Sequence, residues 1–352
     1  MIAPRVRLTA GFLAAAFLLI SGCAQKKQAE EAAAPEDIII GLSMGTLREE
    51  RWLKDRDLFI ERAQELGAAV NVEFAGNDAA VQLSQADNLI LQGVDVLVVV
   101  PHDGKAAAAI VEKAHAAGIK VIAYDRMISN ADLDFYISFD SKLVGKLQAE
   151  AVVKVAPRGK FAYVGGSPSD NNAYLLKEGS MEVLAPLIER GDVTLVMEEF
   201  CADWRSEIAH NHIKKYLDGG GRLDAVIAAN DGTAFGAIQA LMEHGLAGKI
   251  PISGQDADLS ACQRIVQGTQ TVTVYKPLRM LAYRAAEMAV AVARGEPPVT
   301  NAVVPNGRKD VASFLIEPIA VTQENMEEVI VKDGFHPRDL VFQAPAAGGS
   351  TE

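Results

Sequence analysis

The feature that most constrains the fold is an alternation of short apolar segments with longer amphipathic ones, which begins at residue 38. The apolar segments IIIGLS, AAVNVEF and VDVLVVV have the length of strands, and apolar residues recur at helical spacing between them. Short apolar strands separated by helices are typical of a parallel sheet that is covered on both faces. The sequence therefore predicts an α/β fold built on doubly wound parallel sheets.

The same alternation repeats after the strand DFYISFD. A helix from Lys142 to Val155 opens the second series, whose strands are KFAYVGG, VTLVMEEF, LDAVIAAN, PISG and TVTVY. A chain of 352 residues is too long for one small core. We therefore expect two α/β lobes of similar size.

The amino-terminal region has the pattern of an export signal. Two arginines precede an apolar run from Leu8 to Ile20, which is too short to span a membrane comfortably. The run ends in ISGC, which resembles the lipobox of bacterial lipoproteins, so residues 1–23 are predicted to be a lipoprotein signal peptide with Cys23 as the lipidated residue. The alternative is a plain secretory signal with an incidental cysteine. Residues 24–37 are charged and alanine-rich, and they predict a flexible tether.

Charge and cysteine content narrow the possible partners and linkages. The formal net charge is −12 and the isoelectric point is near 5.1. Such a surface repels phosphate backbones, so nucleic acid is not an expected partner. Apart from Cys23, the chain has only Cys201 and Cys262. They could form a disulfide, but they lie in different elements, and we favour two buried thiols.

Polar side chains follow several of the predicted strands. Asp125 and Arg126 come directly after the buried strand VIAY. In an α/β sheet, ligands bind at the carboxyl ends of the strands, where a charged pair is better placed for binding than for packing. Polar clusters of the same kind follow other strands, at Ser167 to Asn172, Asn230 and Asp231, Gln255 to Asp258, and Lys276. We expect these clusters to line one crevice.

Each of these residues could instead cap a helix, because Asp and Asn side chains accept hydrogen bonds from the free amides of a helix start. Capping is the interpretation we favour for Asn171, Asp231 and Asp258. We favour ligand binding for Asn230 and Asp256, since they lie closer to the ends of their strands.

The two tryptophans indicate what the crevice binds. Trp52 follows Arg51 in the first lobe and Trp204 precedes Arg205 in the second, so closure could place one indole on each side of a ligand. Aromatic rings cover the apolar faces of a sugar, while carboxylates, amides and cations bond its hydroxyls. This composition predicts a sugar site. The alternative is that both tryptophans pack in cores.

The sequence lacks the motifs of several other functions. It has no GxxxxGK[ST] loop, no GxGxxG after a strand, no HExxH, no CxxC, no calcium loop and no GxSxG elbow. We therefore expect neither cofactor nor metal. A glycosidase would need two suitably separated carboxyls. The carboxylates predicted here have cations or amides nearby, which favours the ionised form, so we do not expect an enzyme.

Sequence blocks spread over both lobes identify a family. ERWLKDRD, GIKVIAYDRMI, GGSPSDNNA, LDAVIAAND, SGQDADL and VIVKDGFH resemble the D-xylose-binding proteins of bacterial ABC importers, over about residues 38–340. The resemblance implies the type I fold of periplasmic binding proteins, with two doubly wound lobes joined by a three-stranded hinge and closing on one monosaccharide. It also implies D-xylose as the ligand, an ABC permease as the partner, a monomer, and a location on the periplasmic or cell-surface side of the membrane.

Block matching to this family implies a set of ten sugar ligands. They are Arg51, Trp52, Asp125, Arg126, Asp170, Asn172, Trp204, Asn230, Asp256 and Lys276. Several blocks also resemble a sister group that binds glucose, galactose and other sugars, so a multi-sugar receptor for transport or chemotaxis is the alternative. The best-known relatives are free in the periplasm and carry no lipid anchor. The predicted anchor therefore rests on Cys23 and not on the resemblance. Sugar-responsive repressors share the fold, but they need an amino-terminal helix-turn-helix where this chain has an export signal.

The lobes are predicted to be discontinuous in sequence, with crossings near Phe139, Lys276 and Val303. A long helix from Pro277 to Arg294 would return to the first lobe. The predicted first lobe comprises residues 38–140 and 277–303, the predicted second lobe comprises residues 141–276 and 304–340, and residues 341–352 form a disordered tail.

Overall fold

The structure, a computed structural model, describes residues 38–343. The predicted signal peptide, Cys23 and the tether lie outside this range, as do residues 344–352. The predicted disordered tail begins too early, because Val341 closes the helix Arg338–Val341 and is fully buried. Its side chain packs in the same apolar cluster as Ile265 and Met326, so burial orders this end of the described chain.

Strands and helices alternate along most of the described chain. The strands, in chain order, are β1 Ile38–Met44, β2 Ala68–Phe74, β3 Val96–Val100, β4 Lys120–Tyr124, β5 Phe135–Phe139, β6 Gly159–Gly165, β7 Val193–Phe200, β8 Ala225–Ala228, β9 Thr273–Tyr275, β10 Ala302–Pro305, β11 Asp310–Ile316 and β12 Ile319–Val321. The α-helices are α1 Arg51–Glu65, α2 Ala79–Leu91, α3 Ala108–Ala116, α4 Ser141–Val155, α5 Asn171–Glu189, α6 Ser206–Asp218, α7 Asp231–Glu243, α8 Leu259–Val266, α9 Leu278–Ala293 and α10 Arg338–Val341. A 3-10 turn covers Ala202–Trp204 and a π-helical turn covers Glu327–Val331.

The first lobe is built on a seven-stranded sheet with the order β10-β11-β5-β4-β3-β1-β2. All pairs in it are parallel except β10 with β11. The chain steps outward from β1 to β2 and then returns past β1 to β3, so the strand order reverses between β1 and β3. Ligands bind at such a switch point, outside the carboxyl ends of the strands. The segment from the end of β1 to α1 and the segment after β4 both lie at these ends.

The second lobe has a smaller parallel sheet with the order β7-β6-β8. Residues 251–254, predicted as a strand, contribute only one bridge pair, between Val226 and Ile252. Pro251 has no amide hydrogen to donate, which limits pairing at this position. Short polar segments connect the carboxyl end of β6 to α5 and the carboxyl end of β8 to α7.

The chain crosses between the lobes three times within residues 38–343. The first two crossings follow β5 and β9, and α9 then packs in the apolar core of the first lobe. The crossing predicted near Val303 is wrong, because Ala312–Ile316 of β11 pairs in parallel with β5 of the first lobe. The third crossing lies instead between β11 and β12, and β12 pairs with β9 in the second lobe.

Apolar clusters lie on both faces of the first sheet. Successive residues of β3 belong alternately to two separate clusters, and all five are fully buried. Burial on both faces explains why this strand is a continuous run of Val and Leu rather than an alternating pattern. Cys201 and Cys262 are free thiols buried in different clusters of the second lobe, which agrees with the interpretation favoured from sequence. Between residues 38 and 343, no helix is long and apolar enough to cross a bilayer.

Candidate ligand-binding site

A cavity of about 350 Å³ lies between the two lobes at the carboxyl ends of their strands. All ten residues predicted as sugar ligands line it, namely Arg51, Trp52, Asp125, Arg126, Asp170, Asn172, Trp204, Asn230, Asp256 and Lys276. Three further lining residues are outside the predicted ligand set, namely Glu49, Ser141 and Gln255, of which Gln255 belongs to a polar cluster that was expected to line the crevice. Ser141 is the first residue of α4, at the first crossing. Glu49 lies two residues before Arg51 and Gln255 directly precedes Asp256, and this proximity to predicted ligands could have identified both.

Asp125 enters the cavity from the end of β4 in a left-handed backbone conformation, with φ 61°. Its carbonyl oxygen accepts hydrogen bonds from the hydroxyls of Tyr136 at 2.9 Å and Ser138 at 2.7 Å. The side-chain amide of Asn172, from the second lobe, donates to the same oxygen at 3.0 Å. A non-glycine residue with positive φ is uncommon and is maintained by its surroundings. These three bonds hold Asp125 so that its carboxylate faces the cavity.

The buried guanidinium of Arg51 connects three carboxylates. Its Nε donates to Asp55 on the same helix at 2.9 Å, and its Nη2 lies 2.8 Å from Asp125. Its Nη1 lies 3.5 Å from Asp256, which belongs to the second lobe. Burial raises the pKa of Asp125, but Arg51, Lys276 and Arg126 outweigh burial and bring that pKa below its usual value. Asp125 is therefore an ionised hydrogen-bond acceptor at neutral pH.

A second ion pair joins the lobes on the other side of the cavity. The Nε of Arg126 lies 2.9 Å from Asp170, which follows β6 and caps α5 by accepting from the Asn172 amide. The indole N–H of Trp204 donates to the same carboxylate at 3.2 Å. Burial raises the pKa of Asp170, and the charge of Arg126 opposes this shift. Arg126 and Asp170 thus fix the position of Trp204 in the closed cleft.

The hinge contributes a third cation. Lys276 follows β9, and its Nζ lies 2.8 Å from Oδ1 of Asp256. Asp256 has φ 93°, again in the left-handed region. Nearby, Asn230 caps α7 in a reciprocal arrangement with Thr233. Asn230 therefore lines the cavity and caps a helix, so the two interpretations weighed from sequence are compatible at this residue.

The helix caps differ from the sequence prediction. The capping side chains are Asp170 and Asn230, because α5 begins at Asn171 and α7 at Asp231, which places each capping position one residue earlier. Asp258 occupies the residue before α8 but makes no side-chain capping bond. The favoured capping roles of Asn171, Asp231 and Asp258 are therefore wrong.

Both tryptophans are buried and both line the cavity. Arg51 lies 4.4 Å and Arg126 5.2 Å from the centre of the Trp52 ring, within the range of cation–π attraction. The ring of Trp204 packs against the backbone of Gly166, where a Cβ atom would lie 2.2 Å from the ring. Glycine is required there because any side chain would displace the indole. Core packing and cavity lining thus occur together at both tryptophans.

Three buried polar atoms of the lining have no hydrogen-bond partner among residues 38–343. They are Nη2 of Arg51, Oδ1 of Asn172 and Oδ1 of Asp256. The arginine and aspartate atoms lie near opposite charges, but not in the directions that make a hydrogen bond. Buried polar groups are nearly always hydrogen-bonded. The Asn172 oxygen is therefore free to accept from a ligand hydroxyl. The arginine and aspartate atoms are each ion-paired at 2.8 Å and can still bond a ligand through their remaining hydrogens and lone pairs.

The lobes also touch outside the cavity. The amide of Gly104 donates to the carbonyl oxygen of Ser169 at 3.1 Å, and the guanidinium of Arg48 donates to the carbonyl oxygen of Asp203. The Nζ of Lys54 lies 4.4 Å from the ring centre of Phe335. The structure is thus the closed form of the two lobes. In the part of the chain that it describes, no cluster of three or more His, Cys, Asp or Glu side chains could hold a metal ion.

A family profile described as periplasmic binding protein domain matches residues 40–297. The chain belongs to the periplasmic binding protein family. The family, predicted from the sequence blocks, is thereby confirmed, and so are the two doubly wound α/β lobes. Members of this family bind solutes and are not enzymes, which agrees with the charge-paired carboxylates of the cavity.

Two relatives of this periplasmic binding protein are similar over almost their whole length. The D-xylose-binding periplasmic protein of Haemophilus influenzae is 48% identical over 308 residues, which cover 87% of this chain and 93% of the relative. The protein of the same name from Escherichia coli is 46% identical, with 91% and 97% covered. Among solved structures, a carbohydrate transporter solute binding protein from Chloroflexus aurantiacus, in complex with D-glucose, has a TM-score of 0.81 at 30% identity, with 87% and 98% covered.

Proposed function

We propose that this periplasmic binding protein captures one monosaccharide, D-xylose, between its lobes and delivers it to the permease of an ABC importer. The observation that carries the proposal is the cavity between the lobes, which is lined by two tryptophans, three cations and four carboxylates. The two similar relatives whose names specify D-xylose support the choice of sugar.

In the proposed complex, the carboxylates of Asp125 and Asp256 accept hydrogen bonds from sugar hydroxyls. Arg51, Arg126 and Lys276 donate to the sugar oxygens and pair with the carboxylates. The indoles of Trp52 and Trp204 cover the apolar faces of the ring. Asp170, Asn172 and Asn230 supply the remaining polar contacts of the proposed ten-residue set. Each lobe alone offers about half of these partners, so the sugar stabilises the closed form.

The test is calorimetric titration of the purified protein with xylose, arabinose, ribose, glucose and galactose. We expect xylose to bind most tightly. Because the two tryptophans of the chain both line the cavity, their emission should change with the same sugars and at the same concentrations. If none of the five sugars at millimolar concentration gave heat, changed the emission or raised the melting temperature, the proposal would be wrong.

The same panel tests the alternative of a multi-sugar receptor for transport or chemotaxis. The similar structure from Chloroflexus aurantiacus holds D-glucose, which makes a hexose a reasonable competitor. Comparable affinities for xylose, glucose and galactose would favour that alternative. A preference for xylose of a hundredfold or more would favour the pentose receptor, since it corresponds to about 2.8 kcal/mol of differential binding.

We further propose that the mature protein acts as a monomer held to the membrane by lipid on Cys23. The proposal rests on the ISGC junction after a short apolar run and on the charged segment that follows it. A tethered receptor stays at high effective concentration near a membrane transporter, which is the physical advantage of such an anchor.

A further inference from the structure

The loop that carries Asp256 contains two consecutive residues in the left-handed region of backbone space. Asp256 has φ 93° and Ala257 has φ 53°. Residues with a Cβ atom adopt such angles at a cost in free energy, so a pair of them persists only where the surrounding contacts enforce it. In this loop, the enforced conformation presents the Asp256 carboxylate to Lys276 and to the cavity.

Asp231 makes contacts on both sides of this strained pair. Its backbone amide donates to the carbonyl oxygen of Gln255 at 3.0 Å, on the amino-terminal side. Its carboxylate Oδ2 accepts from the amide of Asp258 at 3.0 Å, on the carboxyl-terminal side. One residue therefore holds both ends of the dipeptide that Asp256 and Ala257 form.

The same carboxylate also holds the hinge strand β9. The hydroxyl of Thr273 donates to Oδ2 of Asp231 at 2.8 Å and accepts from the amide of Ala257 at 3.1 Å. The side-chain amide of Gln270 donates to Oδ1 at 2.7 Å. Strand β9 leads to Lys276. Asp231 is therefore connected by hydrogen bonds to the segments that carry two cavity-lining residues, Asp256 and Lys276. It also directly follows a third, Asn230, in sequence.

Asp231 itself does not line the cavity, and its side chain is buried. A buried carboxylate is costly unless its hydrogen bonds repay the loss of hydration. Here three donors reach its two oxygens, and a fourth, from Arg264 at 3.2 Å, reaches its carbonyl oxygen. None of these contacts lies in the cavity, so Asp231 can influence a bound ligand only through its neighbours.

We propose that Asp231 is a positioning residue for sugar binding, which holds the strained loop and the hinge strand so that Asp256 and Lys276 face the ligand. This inference rests on the proposed function, because it concerns the affinity for the sugar. An asparagine at this position keeps the shape and one acceptor oxygen. Its NH₂ group cannot accept a hydrogen bond, so the variant loses either the bond from Gln270 or the two bonds from Asp258 and Thr273.

The test compares Asp231→Asn, Asp256→Asn and the double variant by xylose titration at pH 8 and by thermal melting. Ser180→Ala is the matched control, because it removes a different buried hydrogen bond of the second lobe, from Ser180 to the carbonyl oxygen of Gly145. We expect Asp231→Asn to weaken xylose binding about tenfold while its melting temperature stays within a few degrees of the native value. We expect the control to leave the affinity unchanged.

The double variant separates positioning from a general structural role. If Asp231 acts through Asp256, adding Asp231→Asn to Asp256→Asn should weaken binding less than twofold further. Full multiplication of the two effects, or native affinity in Asp231→Asn, would overturn the inference. If Asp231→Asn does not fold, the Thr273 variants provide the test. Thr273→Val should weaken xylose binding and Thr273→Ser should retain it. Equal affinities of these two variants would also overturn the inference. Absence of xylose binding in the native protein would instead reject the proposed function.

Discussion

At the scale of single residues, most charges of the cavity are paired with an opposite charge although a sugar carries no charge. Three cations and four carboxylates line it. Arg51 pairs with Asp125, Arg126 with Asp170 and Lys276 with Asp256, while Glu49 accepts from the indole of Trp52 at 2.6 Å. Three of the four carboxylates are thus paired with a cation, and the one excess negative charge of the lining disfavours an anionic solute. Hydrogen bonds from hydroxyls to ionised groups are stronger than those between neutral groups.

Asp256 offers the sharpest test of this arrangement, since its buried carboxylate pairs with Lys276 and lines the cavity. Asp256→Ala should lower the affinity for xylose by about 1.5–3 kcal/mol, the range for a hydrogen bond to a charged group, which is roughly tenfold to a hundredfold. Calorimetry measures the change. Glu189→Ala, an exposed position at the end of α5, is the control. Native affinity in Asp256→Ala would mean that this carboxylate does not contact the sugar.

At the scale of elements, the sequence predicted which residues line one cavity better than it predicted the lobe boundaries. The carboxyl ends of parallel strands meet at one edge of a sheet, so polar residues directly after strands, such as Asp125 and Asn230, could be placed together without knowing their contacts. The position of β11 depends on its register with β5, a pairing between residues about 175 positions apart, as between Ala312 and Phe135. No local pattern specifies that pairing, and the third crossing was therefore placed too early.

The start of α7 and the loop before α8 form an element whose stability depends on pH. Burial raises the pKa of Asp231 to about 7 and that of Asp258 to about 8, and their mutual repulsion and the charge of Asp256 add to the effect. Both values lie above the pKa of an aspartate in an unfolded chain. The folded state thus binds these protons more tightly than the unfolded state does. Their stabilising contribution is complete below about pH 4 and is lost as the pH rises through 7 to 8.

We therefore expect the free energy of unfolding to fall between pH 5 and pH 8, by an amount on the order of a few kcal/mol. Asp231→Asn carries no proton that can be lost and should show a flatter profile. Urea denaturation of both proteins at pH 5, 6, 7 and 8 measures this dependence. A native stability that rises over this interval would contradict the assignment of raised pKa values to the pair.

At the scale of the whole molecule, the proposed lipid anchor predicts where the protein resides. Cleavage before Cys23 and lipidation of its thiol would place the protein in the membrane fraction and in the detergent phase of a Triton X-114 partition. Cys23→Ser should move it to the aqueous phase, because serine cannot accept the thioether-linked lipid. Cys262→Ser, a change at a buried thiol of the second lobe, is the control for loss of a cysteine. Detergent partitioning of Cys23→Ser equal to that of the native protein would contradict the anchor.

Closure of the lobes should couple residues outside the cavity to sugar affinity. The Nζ of Lys54, from the first lobe, lies over the ring of Phe335, and neither residue lines the cavity. This contact joins the lobes in the closed structure, so we expect it to favour the closed form that the sugar also favours. Lys54→Ala removes an attraction of about 0.5–1 kcal/mol at a partly exposed site.

If opening and closing are linked to binding, Lys54→Ala should weaken xylose binding about twofold to fivefold and speed dissociation, without touching the sugar. Stopped-flow tryptophan fluorescence measures the rates, and small-angle scattering with and without xylose measures the compaction. Lys113→Ala, which breaks an ion pair within the first lobe, is the matched control. Equal rates in the native protein and Lys54→Ala, together with a radius of gyration that xylose does not reduce, would show that the cleft is closed before the sugar arrives. In that case the affinity would depend on the cavity contacts alone.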